Sequence, residues 1–322
     1  MALYVGVDGV ARNVKKIYVG VDGIARQVKR AYVGVDGVAR LFYSTTKKIV
    51  YYGNAPDDLS AARSSMGAAN VGNYVLFAGG YTGSSESSTV DAYNSSLTRT
   101  TATNLSVARH YLVGCSIGDY VLFAGGYTGS SSSSTVDAYN SSLTRTTATN
   151  LSVVRNNLAG CSIGDHALFA GGGTGGAASL SSVDAYNSSL TRTTATNLSV
   201  ARYYLAGCSI GDHALFAGGQ YSTTTSYATV DAYSGYSLTK TIPTELVCAQ
   251  YQSGAASISG FALIGGGSAG DSRIMTAYDE QLTRVDCPNI EGTDRYIGIA
   301  ASIGKYALFP RDNVAVFTTQ YE

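Results

Sequence analysis

Arginine recurs at one position along most of this chain, and it is the polar residue with the clearest chemical potential. The intervals between the first four copies are 46, 46 and 47 residues. The six equivalent positions are Arg63, Arg109, Arg155, Arg202, Gln250 and Arg295. Guanidinium groups bind carboxylate or phosphate through two parallel hydrogen bonds, so this set predicts a site for an acidic ligand. A repeated arginine also serves to hold the carbonyl groups of its own loop, and the sequence leaves both roles open.

Catalytic and metal-binding residues are sparse. Histidine occurs only at His110, His166 and His213, and the last two stand where other repeats have Tyr74 and Tyr120. No Cys-x-x-Cys, His-x-x-x-His or EF-hand spacing is present. We therefore expect a protein that binds without catalysis, metal or cofactor. A glycan-cleaving enzyme built from Arg, Tyr and carboxylate groups is an alternative, although catalysis needs distinct roles rather than symmetric copies.

The charge distribution argues against nucleic acid and membrane as partners. The chain has 22 basic and 22 acidic residues, and no apolar run is long enough to span a bilayer. Residues 1–48 carry nine basic residues and three aspartates, whereas the remainder has 13 basic and 19 acidic residues. The two parts of the chain therefore differ in character.

An internal repeat of about 46 residues predicts the fold. The run Val-Asp-Ala-Tyr-Asn-Ser-Ser-Leu-Thr-Arg begins at Val90, Val136 and Val183, and a degraded copy begins at Val230. A glycine pair precedes each of these four copies, and a fifth pair follows after a similar interval. The pairs are Gly79-Gly80, Gly125-Gly126, Gly171-Gly172, Gly218-Gly219 and Gly265-Gly266. Each unit contains four short apolar or alternating runs separated by turn residues, a pattern typical of a four-stranded antiparallel sheet.

The second unit shows the predicted strands. We assign strand a to residues 111–117, strand b to 120–125, strand c to 135–139 and strand d to 143–147. Strand b is apolar on both faces, as expected for a sheet packed between two neighbours. The equivalent cysteines of three repeats, Cys115, Cys161 and Cys208, are expected to be small buried residues rather than disulfide partners.

Six copies of strand b predict an all-β, six-bladed β-propeller over residues 46–322. These strands begin at Tyr74, Tyr120, His166, His213, Phe261 and Tyr306. The last unit lacks an obvious strand d, and Lys48–Tyr52 lies where the strand d of a preceding unit belongs. We expect this segment to complete the last blade, because a closed ring leaves no free sheet edge.

The repeat resembles the Kelch family. Arg109, the segment from Ser116 to Gly126 and the later Tyr139 match its arrangement of an arginine, an apolar strand, a Gly-Gly pair and a tyrosine. The tryptophan that the family carries on strand d is absent. Leucine occupies that place, at Leu97, Leu143, Leu190, Leu238 and Leu282. The resemblance implies a propeller whose d-to-a and b-to-c connections share one face, which related proteins use to bind acidic peptides.

On this arrangement the repeated arginines and Gln250 surround one mouth of the propeller. The loops beside them contain tyrosines that suit adaptable recognition and stacking on sugars, namely Tyr81, Tyr127 and Tyr221. Together these residues form the predicted ligand-binding site. A second repeated set, Asp91, Asp137, Asp184 and Asp231 with Arg99, Arg145, Arg192 and Lys240, predicts cross-strand ion pairs at the exposed rim of the blades.

Residues 1–45 form a separate repetitive segment. Tyr-Val-Gly-Val-Asp-Gly begins at Tyr4, Tyr18 and Tyr32, a period of 14 residues. Asp-Gly between alternating apolar residues predicts three hairpins. Isolated hairpins of this size are marginal in water, so we expect an attachment or oligomerisation arm. The arm resembles the short Tyr-Val-Gly-Val-rich repeats of structural proteins from phages and prophages of Gram-positive bacteria.

These observations predict a virion protein of the tail or fibre type, made in the bacterial cytoplasm without a signal peptide. Its arm would contact virion proteins, and its propeller would bind a host-surface glycan or protein. A homotrimer would suit a fibre. The main alternative is an intracellular scaffold whose arginines bind acidic peptides.

Overall fold

A computed structural model describes residues 58–175, 178–235, 237–258, 260–268 and 273–289, with short strands before and after these ranges. All the regular structure in this part of the chain is β-strand. None of the described residues forms a helix of the length and apolarity that crossing a bilayer requires. The chain divides into two compact units, residues 1–54 and 55–322. The predicted boundary between residues 45 and 46, and the predicted strand Lys48–Tyr52, lie outside the described residues.

The first unit has three antiparallel hairpins, as its Asp-Gly pairs predict. The strands are β1 (Tyr4–Val7) with β2 (Val10–Asn13), β3 (Ile17–Val21) with β4 (Ile24–Val28), and β5 (Arg30–Val35) with β6 (Val38–Ser44). In the first hairpin, Val7 pairs with Val10, so Asp8-Gly9 is the intervening sequence.

The second unit is a series of antiparallel sheets in chain order, and we label the strands of each sheet from a onward. Sheet 1 consists of β7 (Gly67–Val71), β8 (Tyr74–Ala78), β9 (Val90–Asn94) and β10 (Arg99–Thr101). Sheet 2 consists of β11 (Val113–Ile117), β12 (Tyr120–Ala124), β13 (Val136–Asn140) and β14 (Arg145–Thr147). Sheet 3 consists of β15 (Ala159–Ile163), β16 (His166–Ala170), β17 (Val183–Asn187) and β18 (Arg192–Thr194).

The later sheets depart slightly from this pattern. Sheet 4 has β19 (Ala206–Ile210), β20 (His213–Ala217), β23 (Val230–Ser234) and β24 (Lys240–Thr241), with the small hairpin β21 (Gln220–Ser222) and β22 (Thr225–Ser226) between strands b and c. Sheet 5 has β25 (Gly254–Ile258), β26 (Phe261–Gly265), β27 (Met275–Asp279) and β28 (Arg284–Val285). Sheet 6 has three strands in the described residues, β29 (Ala301–Ile303), β30 (Tyr306–Phe309) and β31 (Ala315–Thr318).

The predicted four-stranded repeat is confirmed, and its strand ends differ from the prediction for a physical reason. In sheet 2, strands a and d each begin two residues later than expected. Tyr111 and Leu143 precede these strands with φ values of 53° and 60°. A left-handed residue cannot continue a strand, and no glycine marks either position in the sequence. The leucines expected on strand d therefore lie in the turn before it.

The core consists of separate layers between successive sheets. Strand a of each sheet contacts strand a of the next, from sheet 1 to sheet 6. In sheet 2, Val121 and Phe123 pack toward sheet 1, whereas Leu122 and Ala124 pack toward sheet 3, and all four are fully buried. Strand b is therefore apolar on both faces, as predicted. Leu143 packs against the layer between sheets 1 and 2, so this leucine fills space between neighbouring sheets.

The glycine pairs permit the closest approach between one sheet and the connection to the next. A Cβ added to Gly171 would lie 2.5 Å from the carbonyl oxygen of Arg202, and one added to Gly172 would lie 2.7 Å from that of Asn156. Both glycines have a positive φ. Any side chain at these positions would therefore meet backbone that has no room to move.

Replacing Gly171 with alanine tests this contact, with Gly83 as the matched control. Both glycines have a positive φ, which costs an alanine about 1–2 kcal/mol, but a Cβ at Gly83 would meet nothing within 4 Å. We expect Gly171→Ala to lower the unfolding midpoint in urea considerably more than Gly83→Ala. Equal effects of the two substitutions would show that the close approach to Arg202 carries no energetic weight.

Candidate functional site on the loop face

One end of each sheet carries both the b-to-c loop and the connection that leads into strand a. We call this end the loop face. The two segments are paired there by isolated β-bridges, for example between His110 and Tyr127 and between Tyr203 and Gln220. In sheets 1 to 4, the first residue after the glycine pair therefore lies beside the residue that follows the repeated arginine. The opposite end carries the a-to-b and c-to-d turns.

The repeated arginines lie beneath the loop face. We call Arg63, Arg109, Arg155, Arg202 and Gln250 the junction residues. The side chains of the four arginines have no exposed surface, and Gln250 is also fully buried. Arg295, the sixth predicted member, lies outside the described residues. An acidic ligand would reach the described guanidinium groups only after the loops had moved.

Each buried arginine forms an ion pair with an aspartate on strand c of the sheet that it precedes. The Nη2–Oδ2 distances are 2.5 Å for Arg63–Asp91, 3.0 Å for Arg109–Asp137 and 2.8 Å for Arg202–Asp231, and Arg155 pairs with Asp184 in the same way. The guanidinium groups also donate to backbone carbonyls, as Arg109 does to Phe123 at 3.0 Å. Burial lowers the pKa of Arg109, and the Asp137 carboxylate opposes this shift.

The backbone of the same residue belongs to the preceding sheet. The Arg109 amide donates to the carbonyl of Ser87 at 3.1 Å, and the Arg109 carbonyl accepts from Gly80 at 2.9 Å. Ser87 and Gly80 are in the b-to-c loop of sheet 1, whereas the side chain of Arg109 is bound in sheet 2. A single residue thus joins two sheets, and the same pattern recurs at Arg155, Arg202 and Gln250.

The aspartates form the predicted cross-strand ion pairs, but the prediction that these pairs lie at the exposed rim is wrong. Asp137 is fully buried, and its Oδ1 atom lies 3.0 Å from Nη1 of Arg145, whose side chain is 26% exposed. Only the outer cation therefore reaches solvent. Because each aspartate binds one cation on either side, its carboxylate charge is compensated although it is buried. The other outer pairs are Arg99–Asp91, Arg192–Asp184 and Lys240–Asp231.

Sheet 5 replaces the whole ion pair with neutral groups. Gln250 takes the place of arginine and donates from Nε2 to the carbonyl of Ile274 at 3.1 Å. Thr276 takes the place of aspartate and is 1% exposed, and its hydroxyl accepts from the amide of Val247 at 3.2 Å. Both charges change together, so neither is left buried without its partner.

The sequence prediction missed a second set of residues on the loop face. We call the two residues that follow each junction residue a variable pair. The pairs are Ser64-Ser65, His110-Tyr111, Asn156-Asn157, Tyr203-Tyr204 and Tyr251-Gln252. Residues 151–172 and 198–219 are identical at all but three positions, and two of these three differences are the variable pair. Comparison between repeats would have identified these positions.

The second residue of every variable pair has a left-handed backbone. The φ values are 53° at Tyr111, 51° at Asn157 and 55° at Tyr204. From Tyr111 onward, each of these residues donates its amide to the carbonyl of its counterpart one sheet earlier, for example from Tyr111 to Ser65 and from Tyr204 to Asn157, both at 3.0 Å. Glycine would adopt this conformation more easily, and strain of this kind clusters at functional positions.

The side chains of these pairs converge. Burial raises the pKa of Tyr204, with further contributions from the phenols of Tyr111, Tyr203 and Tyr251, while a hydrogen bond with Asn157 acts in the opposite direction. The centroids of the Tyr203 and Tyr204 rings are 4.9 Å apart. Tyr111 is 40% exposed. The loop face therefore presents aromatic and amide groups to solvent.

The predicted loop tyrosines lie on the same face. Tyr81 and Tyr127 are partly buried, and Tyr221 is 49% exposed. The rings of Tyr81 and Tyr127 both contact the imidazole of His110, with centroid distances of 5.4 Å and 5.7 Å. His166 and His213 begin strand b at the opposite end of their sheets. The described residues include no cluster of three groups able to hold a metal ion.

The comparisons with known proteins add no family to this description. A scan against protein-family models gives no match, and a search of the curated proteins gives none either.

The neutral pair of sheet 5 predicts how sheet 3 tolerates substitution. Asp184→Thr alone leaves the buried Arg155 without its carboxylate, and we expect a loss of about 3–5 kcal/mol in the free energy of unfolding. Arg155→Gln alone leaves Asp184 paired with the partly exposed Arg192, and we expect a smaller loss. The double variant copies Gln250 and Thr276, and we expect it to be clearly more stable than the sum of the single effects implies. Urea unfolding of the four chains measures this coupling. If the losses in the free energy of unfolding were additive, the two residues would not need to change together, and the interpretation would be contradicted.

Proposed function

We propose that this chain is a non-catalytic binding protein whose loop face recognises a glycan on a host surface. The observation that carries the proposal is the variable pair. Between the near-identical repeats of sheets 3 and 4, side-chain identity changes mainly at this pair, and over the described repeats the pair holds Ser, His, Asn, Tyr and Gln. Tyrosine supplies stacking area at low entropic cost, and amides supply hydrogen bonds, which together suit the apolar faces and hydroxyl groups of sugars.

We further propose that residues 55–322, with the segment before them, close into a six-bladed, Kelch-like propeller. The six sheets follow one another in chain order, and each contacts the next through strand a. Sheet 6 has three strands in the described residues, so a fourth from Lys48–Tyr52 would complete it and join it to sheet 1. The amide-to-carbonyl chain through Tyr111, Asn157 and Tyr204 also runs from sheet to sheet, as expected for positions arranged around an axis.

The described loops favour a glycan over an acidic peptide. The b-to-c loops of sheets 1 to 4 contain no lysine or arginine. The guanidinium groups of the four described junction arginines are buried, and each is paired with an aspartate of its own sheet. Recognition of an acidic peptide needs exposed cations that can pair with carboxylates, and these loops supply none.

The arm supports a proposed place in a virion. Three short hairpins in series have little core of their own, so they gain stability by packing against copies of themselves or against another structural protein. We propose that the arm attaches the protein to a phage or prophage tail or fibre and that the propeller faces the host.

Loss of the aromatic variable pair should weaken binding to a bacterial cell-wall glycan panel. Tyr203→Asn with Tyr204→Asn copies the pair of the preceding repeat, Asn156-Asn157, so the scaffold should tolerate it. We expect at least a tenfold loss of affinity for any glycan that the unaltered protein binds, or about 1.4 kcal/mol. His213→Tyr, which copies Tyr120 at the opposite end of a sheet, is the control. Unchanged glycan binding by the double variant, or a similar loss in the control, would contradict the proposal.

Removal of residues 1–45 should change the oligomeric state and leave glycan binding per chain intact. We expect the full chain to be a trimer and the shortened chain a monomer, measured by light scattering coupled to size-exclusion chromatography. A full chain that remains monomeric at micromolar concentration would contradict the proposed role of the arm in self-association.

A further inference from the structure

One junction on the loop face differs chemically from the other described junctions. It lies where the b-to-c loop of sheet 1 meets the start of sheet 2. We call the side chains of Tyr81, Glu86, His110, Tyr111 and Tyr127 the histidine pocket. The imidazole of His110 contacts all three tyrosine rings, with centroid distances of 5.4 Å to Tyr81, 4.4 Å to Tyr111 and 5.7 Å to Tyr127. Three tyrosine rings thus surround the imidazole, and the imidazole in turn faces the Glu86 carboxyl group.

Glu86 is enclosed between the loops of the two sheets. Its Oε1 atom lies 3.5 Å from Nδ1 of His110, and its side chain is 19% exposed. On its other side, a Cβ added to Gly129 would lie 2.7 Å from Oε2. Among the described residues, no lysine or arginine lies within 4 Å of this carboxylate. His110 is its sole basic neighbour there.

The imidazole of His110 supplies little positive charge to this pocket at neutral pH. Burial lowers the pKa of His110, and the opposing effect of Glu86 is smaller. The imidazole is therefore mainly neutral at pH 7. The pocket therefore combines a carboxylate with a neutral imidazole and three tyrosines, and no described lysine or arginine pairs with that carboxylate.

This combination occurs at one described junction alone. The β-bridges place Ser132, Ser179 and Ser226 at the positions equivalent to Glu86 in sheets 2, 3 and 4. The positions equivalent to His110 hold Ser64, Asn156, Tyr203 and Tyr251. The core and the junctions do not require an acid here, because the repeats that have serine form the same bridges. Folding therefore does not explain the presence of Glu86, and we look for its role in what the loop face binds.

We propose that the histidine pocket binds an ammonium group carried by the surface ligand. Carboxylates pair with ammonium groups, and tyrosine faces attract organic cations through their quadrupoles. This proposal deepens the glycan-binding function above and rests on it. It assigns one part of the loop face to a cationic substituent and leaves the tyrosines of sheet 4 to stack on sugar rings.

The proposal implies a direction of pH dependence. Below the lowered pKa of His110, the imidazole becomes a cation and pairs with Glu86 from within the protein. Glu86 is the one charged side chain described in contact with His110, and the other groups that face the imidazole are the phenols of Tyr81, Tyr111 and Tyr127. A ligand whose charge does not titrate should therefore bind more weakly at pH 5 than at pH 7.5.

The test compares choline with its uncharged isostere 3,3-dimethylbutan-1-ol on the full chain, by ligand-observed NMR titration. We expect choline to bind and the isostere to bind at least tenfold more weakly. Glu86→Ser copies Ser132 and should abolish the difference, and Glu86→Gln is a second variant of similar size. Glu245→Gln, at an exposed carboxylate between sheets 4 and 5, should leave the difference between choline and the isostere unchanged. His110→Asn copies Asn156 and should remove the pH dependence.

Equal binding of choline and the isostere, or choline binding that survives in both Glu86 variants, would overturn the proposal. A glucosamine oligomer and its N-acetylated form distinguish an amino sugar from a quaternary ammonium as the natural group. Stronger binding of the free amine than of its N-acetylated form, lost in Glu86→Ser, would support an amino sugar. The proposed glycan-binding function would survive failure here if other glycans still bound through Tyr203 and Tyr204.

Discussion

A side chain buried at the junction between two sheets is the interaction on which this structure depends. The backbone of Arg155 is hydrogen-bonded to the b-to-c loop of sheet 2, while its guanidinium group binds Asp184 and backbone carbonyls in sheet 3. Burying a guanidinium group is costly, and the Asp184 carboxylate and the backbone carbonyls of Gly171 and Ser182 offset part of this cost. The repeat therefore preserves a matched set of arginine, aspartate and loop carbonyls, or, in sheet 5, replaces it with a neutral set.

This constraint separates the fixed part of each repeat from the part that is free to vary. The backbone of the junction residue packs directly against the glycine pair. A Cβ added to Gly79 would lie 2.4 Å from the carbonyl oxygen of Arg109, so the glycine positions leave no room for a side chain. The next two residues lie above that contact and face solvent in part. Their backbone is strained at Tyr111 and Tyr204, yet the positions keep side chains instead of glycine. A rigid junction that carries two variable residues is an arrangement that suits a ligand-recognition surface.

The sequence predicted the repeating sheets because turn residues and apolar runs recur at a fixed interval. It did not predict where strands a and d begin, because Tyr111 and Leu143 carry no local signal of a positive φ. The sequence could not distinguish a buried arginine from an exposed one, since both uses need the same residue at the same spacing. It placed Asp137 at the rim because it did not reveal that Arg109 pairs with this aspartate from the buried side. The histidine pocket was missed because Glu86 and His110 come from different repeats, and only the junction brings them together.

The most direct measurement is native-state hydrogen exchange at the amides of Arg109, Arg155, Arg202 and Gln250. Each donates to a loop of the preceding sheet, at 3.0–3.1 Å. If these contacts join the sheets into one cooperative structure, the four amides will exchange only through global unfolding, at the same free energy as the strand b amides. Exchange at the rate of exposed loops, with strand b still protected, would show that the sheets are stable without the junctions and would contradict the account.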